Sequence, residues 1–327
     1  MSARPWLIDI HHHAMPDTFA RALPSGVPLP GVDYPAWTAD RSLEVMDRNA
    51  IAASVLSITA PGIHFGDAGA TRRVAREVNE SFAGIVAEHP TRFGAFAVLP
   101  LPDPAASKGE LAYALDELKL DGVGLFSSYG DRYLGDPEFE PVLAELAERG
   151  VPVHVHPMSP PAKDVRSFDL PPSLYDFVFE TTRTVASLLF NGVLDRLPDL
   201  KLILSHAGGT VPFLAKRLTY GPTIGAHLKD RQPADLIGSL RRLHYDTAMS
   251  ANEFALPTLD RLVDPTRILF GSDFPFMKQP EVAESVAGIL AHPGWNDEQR
   301  LLVERGNALR LFPGLARRLT AAEGNTR

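Results

Sequence analysis

The chain has 327 residues, 45% hydrophobic and 22% charged, with a formal net charge of -8. That length allows one large barrel or two ordinary domains, and the acidic balance argues against nucleic acid or an anionic membrane surface as a partner. There is no cysteine, so disulfides and thiolate metal sites are excluded and any metal must be held by nitrogen and oxygen.

The first apolar run, residues 6–10, is too short for a signal-peptide core and contains Asp9. No stretch approaches the ~20 apolar residues of a membrane span, so the expected address is the cytoplasm. Residues 6–10 read instead as a strand, followed by a short amphipathic helix over 42–49 and a second strand over 52–58. A helix over 70–88 follows, with apolar spacing at Val74, Val78, Phe82 and Ile85, then strands over 93–99 and 122–126. The helix over 138–149 has acids in its first turn and Gly150 as its stop. Strands over 151–156, 202–205, 243–246 and 268–271 alternate with helices over 181–197, 212–218, 255–262, 282–290 and 296–311. Nearly continuous apolar strands separated by helices mean a parallel sheet buried on both faces. Eight such repeats favour a closed (β/α)8 TIM-like barrel over an open sheet, and no G-x-G-x-x-G follows a strand. No domain boundary interrupts the pattern, so residues 1–327 are expected to form one barrel domain. Residues 24–37 and 158–175 read as long loops at the C-terminal face, and the polar tail from Ala321 is expected to fray.

Five polar residues close the strand runs: His11 and His13 after Ile8-Asp9-Ile10, His156 after Val155, His206 after Ser205, and Asp273 after Ser272. Barrel strands share one mouth at their C-terminal ends. His11 and His13 are two apart, so period-2 geometry places both on one face and His12 on the other. His154 lies one layer below His156 and reads as a hydrogen-bonded core residue. Three neutral imidazoles and a carboxylate suit a divalent transition metal. His206 could ligate or transfer protons. Asp273 could ligate, accept a proton, or cap the following segment. His64 and Asp67 after the second strand, Asp246 and Thr247 after the seventh, Phe274 and Phe276 as a ring sandwich, and Arg183 or Arg48 as carboxylate partners are further candidates. Capping, packing and solvated pairing compete for each of these.

Taken in order, Ile8 to His13, Val155-His156-Pro157, Leu204 to Gly209 with Pro212-Phe213, Phe270 to Pro275 and Gly306 to Phe312 resemble the amidohydrolase superfamily. Within it they resemble the aminocarboxymuconate semialdehyde decarboxylase-like branch. The segments Ala60 to Asp67, Tyr133 to Pro137 and Phe179 to Arg183 are similar to those of 6-methylsalicylate decarboxylases. The resemblance implies a mononuclear site with His11, His13, His156 and Asp273 as metal ligands and His206 as an acid/base beside them. It implies a non-oxidative decarboxylase of a small hydroxyaryl carboxylic acid, working as a homodimer with one Zn2+ or, second, Mn2+ per site. His64, Phe274, Phe276 and Arg183 are the candidate substrate contacts. A lactone or amide hydrolase, or a hydratase, shares the same fold and metal shell. A non-catalytic binding barrel is the third alternative.

Overall fold

The computed structural model describes residues 6–24, 34–161, 168–231 and 233–324. Residues 25–33 and 162–167, the middles of the two expected loops, lie outside the described residues, as do residues 325–327 of the expected frayed tail. Eight parallel strands lie in chain order: β1 (Leu7–His13), β2 (Ile51–Ser57), β3 (Phe93–Val98), β4 (Gly122–Phe126), β5 (Pro152–His156), β6 (Lys201–Leu204), β7 (His244–Asp246) and β8 (Ile268–Leu269). Backbone bonds close the ring between β8's continuation and β1: Ile10 N to Phe270 O at 3.0 Å, Asp273 N to His11 O at 2.9 Å, and His13 N to Phe274 O at 2.7 Å. The fold is the (β/α)8 barrel expected from the strand count.

Two apolar layers hold it. Side chains such as Leu56, Ala95, Val123, Val153 and Leu202 face the surrounding helices. Ile8, Ile10, Ala53, Val55, Phe96, Ile203 and Leu269 form a second cluster with Phe312 and Leu315. Residues from β1, β3, β6 and β8 meet only through the barrel interior, so this cluster fills its lower half. Phe96 links its two ends, stacked on His154 at 5.3 Å and edge-on to Phe312 at 5.6 Å. The helix Pro313–Gly324 plugs the base, so Ala321 continues a helix where fraying was expected. Arg318 pins that helix to Asp121, with its two terminal nitrogens 3.2 and 2.9 Å from the two carboxylate oxygens.

Three elements differ from the sequence reading. β1 runs on through His13, because the histidines pair with β2 rather than ending the strand. The expected helix over 181–197 starts earlier, at Pro172, and stops at Phe190, because Gly192 adopts φ 73° and begins a separate short helix, Val193–Arg196. Proline at the first turn and Asn-Gly at the end are ordinary start and stop signals. The expected helix over 296–311 is divided by a π-helical stretch, Leu302–Gly306. Among the described residues no helix is long and apolar enough to cross a membrane.

His244, at the start of β7, gives a stability prediction remote from the mouth. Burial, and then Arg267 beside it, push its imidazole down to about 4, while Arg267 lies 3.2 Å from its Nε2. An unfolded histidine titrates near 6.5, so this group contributes stability fully above that pH and loses it as pH falls towards 4. His244→Gln should flatten the denaturant-derived stability profile between pH 6.5 and 4 by about 2–3 kcal/mol. Profiles of equal slope would contradict the assignment.

Candidate metal centre

The four expected ligands converge. One ligating atom from each of His11, His13, His156 and Asp273 lies within 4.8 Å of the others, and all four residues are buried. His11 Nε2 is 3.1 Å from His13 Nε2, and Asp273 Oδ1 is 3.4 and 3.2 Å from those two nitrogens. Nitrogens bound to a common ion at about 2.0–2.1 Å stand roughly 3 Å apart. A register shift between Asp9 and His12 lets Ile10 pack inside the barrel while His11 and His13 also face inward.

Each imidazole is oriented through its other nitrogen. His11 Nδ1 lies 2.8 Å from Asp246 Oδ2, His13 Nδ1 3.1 Å from Ser57 Oγ, and His156 Nδ1 2.8 Å from Pro157 O. The carboxylate at His11 and the carbonyl at His156 select the Nδ1–H tautomer and leave Nε2 lone pairs for the centre, and the Ser57 hydroxyl, able to accept, permits the same at His13. Asp246 also accepts from His154 Nε2 at 3.1 Å, His206 N at 2.9 Å and Ala248 N at 3.0 Å. Its oxygens are thus fully used, and the grouping of His11, His154 and Asp246 is a hydrogen-bonded support rather than a second ion site. His154 takes the core role expected of it.

The electrostatics fit a dication. Burial opposes charge on His11, but Asp246 and Asp273 hold its pKa up to about 10. Burial lowers His13 and lowers His156 well below the ordinary value, with the neighbouring imidazoles adding to the effect at His156. Burial would raise Asp246 and Asp273, yet His11 and the adjoining imidazoles hold both well below the usual carboxylate range. Two buried carboxylates against one imidazolium leave an uncompensated negative charge; a divalent cation in place of that proton balances it. His206 stands to one side, its Nε2 3.5 Å from Asp273 Oδ2. Its Nδ1 is buried without a hydrogen-bond partner among the described residues.

Above the cluster lies a cavity of about 220 Å³, lined by His13, His156, His206 and Asp273 on its floor. Drug-sized ligands occupy roughly 300–1,000 Å³, so this space suits a single ring. Its walls are mostly apolar, including Leu174, Phe177, Met249, Phe276 and Met277. Phe276 lines the cavity with its ring edge-on to His13 at 5.6 Å. His206, Met249 and Asp273 all carry φ between 52° and 61°, a left-handed conformation that is costly for non-glycine residues and collects at functional sites. The glycines after His206 are obligatory: a Cβ on Gly209 would sit 2.1 Å from Val178 O, and one on Gly208 would sit 2.6 Å from the Tyr245 ring.

Three expected substrate contacts are not among the residues lining this cavity. His64 lies 3.2 Å from Thr71 Oγ1 and lines a separate cavity of about 80 Å³. Phe274 is buried with its ring 5.0 Å from His12, behind the cluster. Arg183 is held by Glu180 one turn earlier on the same helix, and Tyr133 OH donates to that glutamate at 2.7 Å. Burial of Glu180 explains the capture, since a buried carboxylate needs a partner. Asp67 caps the helix Ala68–Glu88 through Ala70 N, and Arg48 pairs with Glu44. Met249 and Met277 were missed because loop residues carry no periodic signal, and Leu174 because the helix that bears it was expected to begin only at residue 181. The proline pair at 171–172 could have revealed the helix bearing Leu174 and Phe177.

A closed parallel barrel with buried histidines and an aspartate at its mouth defines a metal-dependent barrel of the amidohydrolase kind. The sequence pattern of the family described as Amidohydrolase matches residues 8–314, and the chain belongs to that family. It is 38% identical to a 6-methylsalicylic acid decarboxylase of Aspergillus aculeatus, covering 97% of this chain and 98% of that one. Identity to the 6-methylsalicylic acid decarboxylase of Penicillium expansum is 35%, over 94% of this chain and 96% of the relative. The crystal structure of 5-carboxyvanillate decarboxylase from Sphingomonas paucimobilis superimposes with a TM-score of 0.82 at 26% identity, covering 94% and 99% of the two chains.

Proposed function

We propose that the protein is a metal-dependent, non-oxidative decarboxylase of a hydroxyaryl carboxylic acid of the 6-methylsalicylate kind. The observation that carries this reading is the convergence of His11, His13, His156 and Asp273 beneath a ring-sized, largely apolar cavity. Relatives at 35% and 38% identity that decarboxylate 6-methylsalicylic acid support it. His11, His13, His156 and Asp273 would hold a divalent ion, which we take to be Zn2+ with Mn2+ the competitor, and it would supply Lewis-acid chemistry at the cavity floor. Metal analysis of the purified protein distinguishes the two ions.

The residues of the chain do the rest. Asp273 is held as a carboxylate, so it first accepts the proton of the ortho hydroxyl. It then gives that proton to the ring carbon bearing the carboxylate, the carbon–carbon bond breaks, and CO2 leaves with the phenolate product. His206 holds the phenolic oxygen and returns a proton to it from solvent. Phe276 and Phe177 seat the ring and, with the other apolar walls, exclude water, which strengthens the polar interactions inside. In D2O the product phenol should carry one deuterium at the carbon that lost CO2, read by NMR. A product that retains its carboxylate, with a cleaved ester or amide, would point to hydrolysis instead.

We take the whole chain, residues 1–327, as one domain acting in the cytoplasm as a homodimer. Phe213 and Phe254 support the dimer: they are 81% and 79% exposed on segments following β6 and β7 at the barrel mouth, and exposed apolar patches mark contact surfaces. Light scattering should give twice the chain mass of 35.6 kDa, and Phe213→Asp should halve the observed mass. A monomeric wild type would refute the dimer.

A further inference from the structure

Asp9 is absent from the cavity, yet its carboxylate contacts both halves of the metal centre. Oδ1 accepts from His11 N at 3.1 Å and from Ser272 N at 3.0 Å. Oδ2 lies 2.9 Å from His12 Nδ1 and 2.5 Å from Ser272 Oγ. Asp9, His11 and Ser272 are fully buried. Ser272 immediately precedes Asp273, and its Oγ also accepts from Phe274 N at 3.1 Å. One side chain therefore joins the strand carrying His11 and His13 to the segment carrying Asp273, 263 residues away from it in sequence at Ser272.

The network continues outward. His12 Nε2 lies 2.8 Å from Ser42 Oγ, which accepts from Trp37 Nε1 at 2.9 Å. Ser42, His12 and Asp9 stand in the order of a hydrolytic triad. All three are 0% exposed, so no substrate reaches the hydroxyl, and a nucleophilic role is excluded. A carboxylate satisfied by four donors, two of them backbone amides, is instead a rigid clamp.

We infer that Asp9 is a positioning residue of the metal centre, fixing the His11/His13 pair relative to Asp273 and thereby setting the affinity for the ion. The inference rests on the metal-centre reading above. Partners of this kind, one shell out from a metal, change metal affinity or activity by about 10–100-fold when removed. The test measures Kd for Zn2+ and for Mn2+ by competition with a fluorescent chelator, alongside Tm of the metal-free protein. Asp9→Ala should weaken both ions by about 10–100-fold and lower kcat at subsaturating metal. Asp9→Asn, whose one carbonyl still accepts the two amides, should fall between Asp9→Ala and wild type. It carries the test alone if Asp9→Ala does not fold. Ser42→Ala breaks only the outer end; it should lower Tm while leaving both Kd values within about threefold, below the range for loss of a group that orients a ligand.

A purely structural Asp9 would lower Tm and leave Kd at the wild-type value in Asp9→Ala and Asp9→Asn, and that result overturns the inference. A wild-type protein that binds neither ion overturns the metal reading and this inference together. Because the readout is metal affinity, it stands apart from whether the protein decarboxylates any given acid.

Discussion

Asp273→Asn is expected to lower kcat by about 10²–10⁴-fold, the range for loss of a positioned acid–base group, while the protein stays folded and keeps bound metal. The substitution is nearly isosteric. Asparagine is one of the few residues that tolerates the left-handed backbone which Asp273 adopts at φ 61°. Its carbonyl can still lie where Oδ1 now sits, 3.4 and 3.2 Å from His11 and His13 Nε2. What it cannot do is accept a proton from the ortho hydroxyl and deliver it to the ring carbon. Steady-state kinetics with metal analysis on the same preparation separates the two effects. Wild-type kcat in a metal-replete Asp273→Asn protein would remove Asp273 from the proton path.

His13→Ala is expected to lose metal and activity together, with affinity falling by more than the roughly 10–100-fold typical of losing a group that only orients a ligand. His13 is the cleaner choice among the ligands. His11 also neutralises Asp246, so its removal would strand a buried carboxylate at 2.8 Å and damage the fold itself. Among the described residues His13 Nδ1 contacts the hydroxyl of Ser57, which can rotate to another partner. Titration of metal-free His13→Ala should show no stoichiometric binding at protein concentrations that saturate the wild type. Retention of a tightly bound equivalent would show that the ion sits elsewhere.

Much of this centre was legible because barrel physics is simple at the strand ends. Strands buried on both faces read as apolar runs, and the residue that ends such a run faces the mouth, which located His156, His206 and Asp273. Spacing of two placed His11 with His13, although the irregularity that also turns Ile10 inward could not be read from periodicity. The walls were not legible. Met249 and Met277 belong to connections whose course is set by tertiary packing, and Leu174 to the first turn of a helix that was expected to begin later. Phe274 and Phe276 are two apart beside the same aspartate, yet one packs behind His12 and the other faces the cavity. Arg183 was expected as a substrate contact, whereas the buried Glu180 one turn earlier takes it. The motifs around Tyr133 and Glu180, separate in sequence, meet through the 2.7 Å hydrogen bond from Tyr133 OH to Glu180. They brace the helix that carries Leu174 and Phe177 into the cavity wall.

The most direct test is CO2 release from 6-methylsalicylate and a small panel of hydroxybenzoates by the metal-loaded protein, with a chelated aliquot in parallel. Release of CO2 that stops on chelation and returns with added Zn2+ or Mn2+ is the predicted result. No release from any of these acids by protein with metal confirmed bound would contradict a decarboxylase and move the chemistry of this barrel to hydrolysis of lactones or amides.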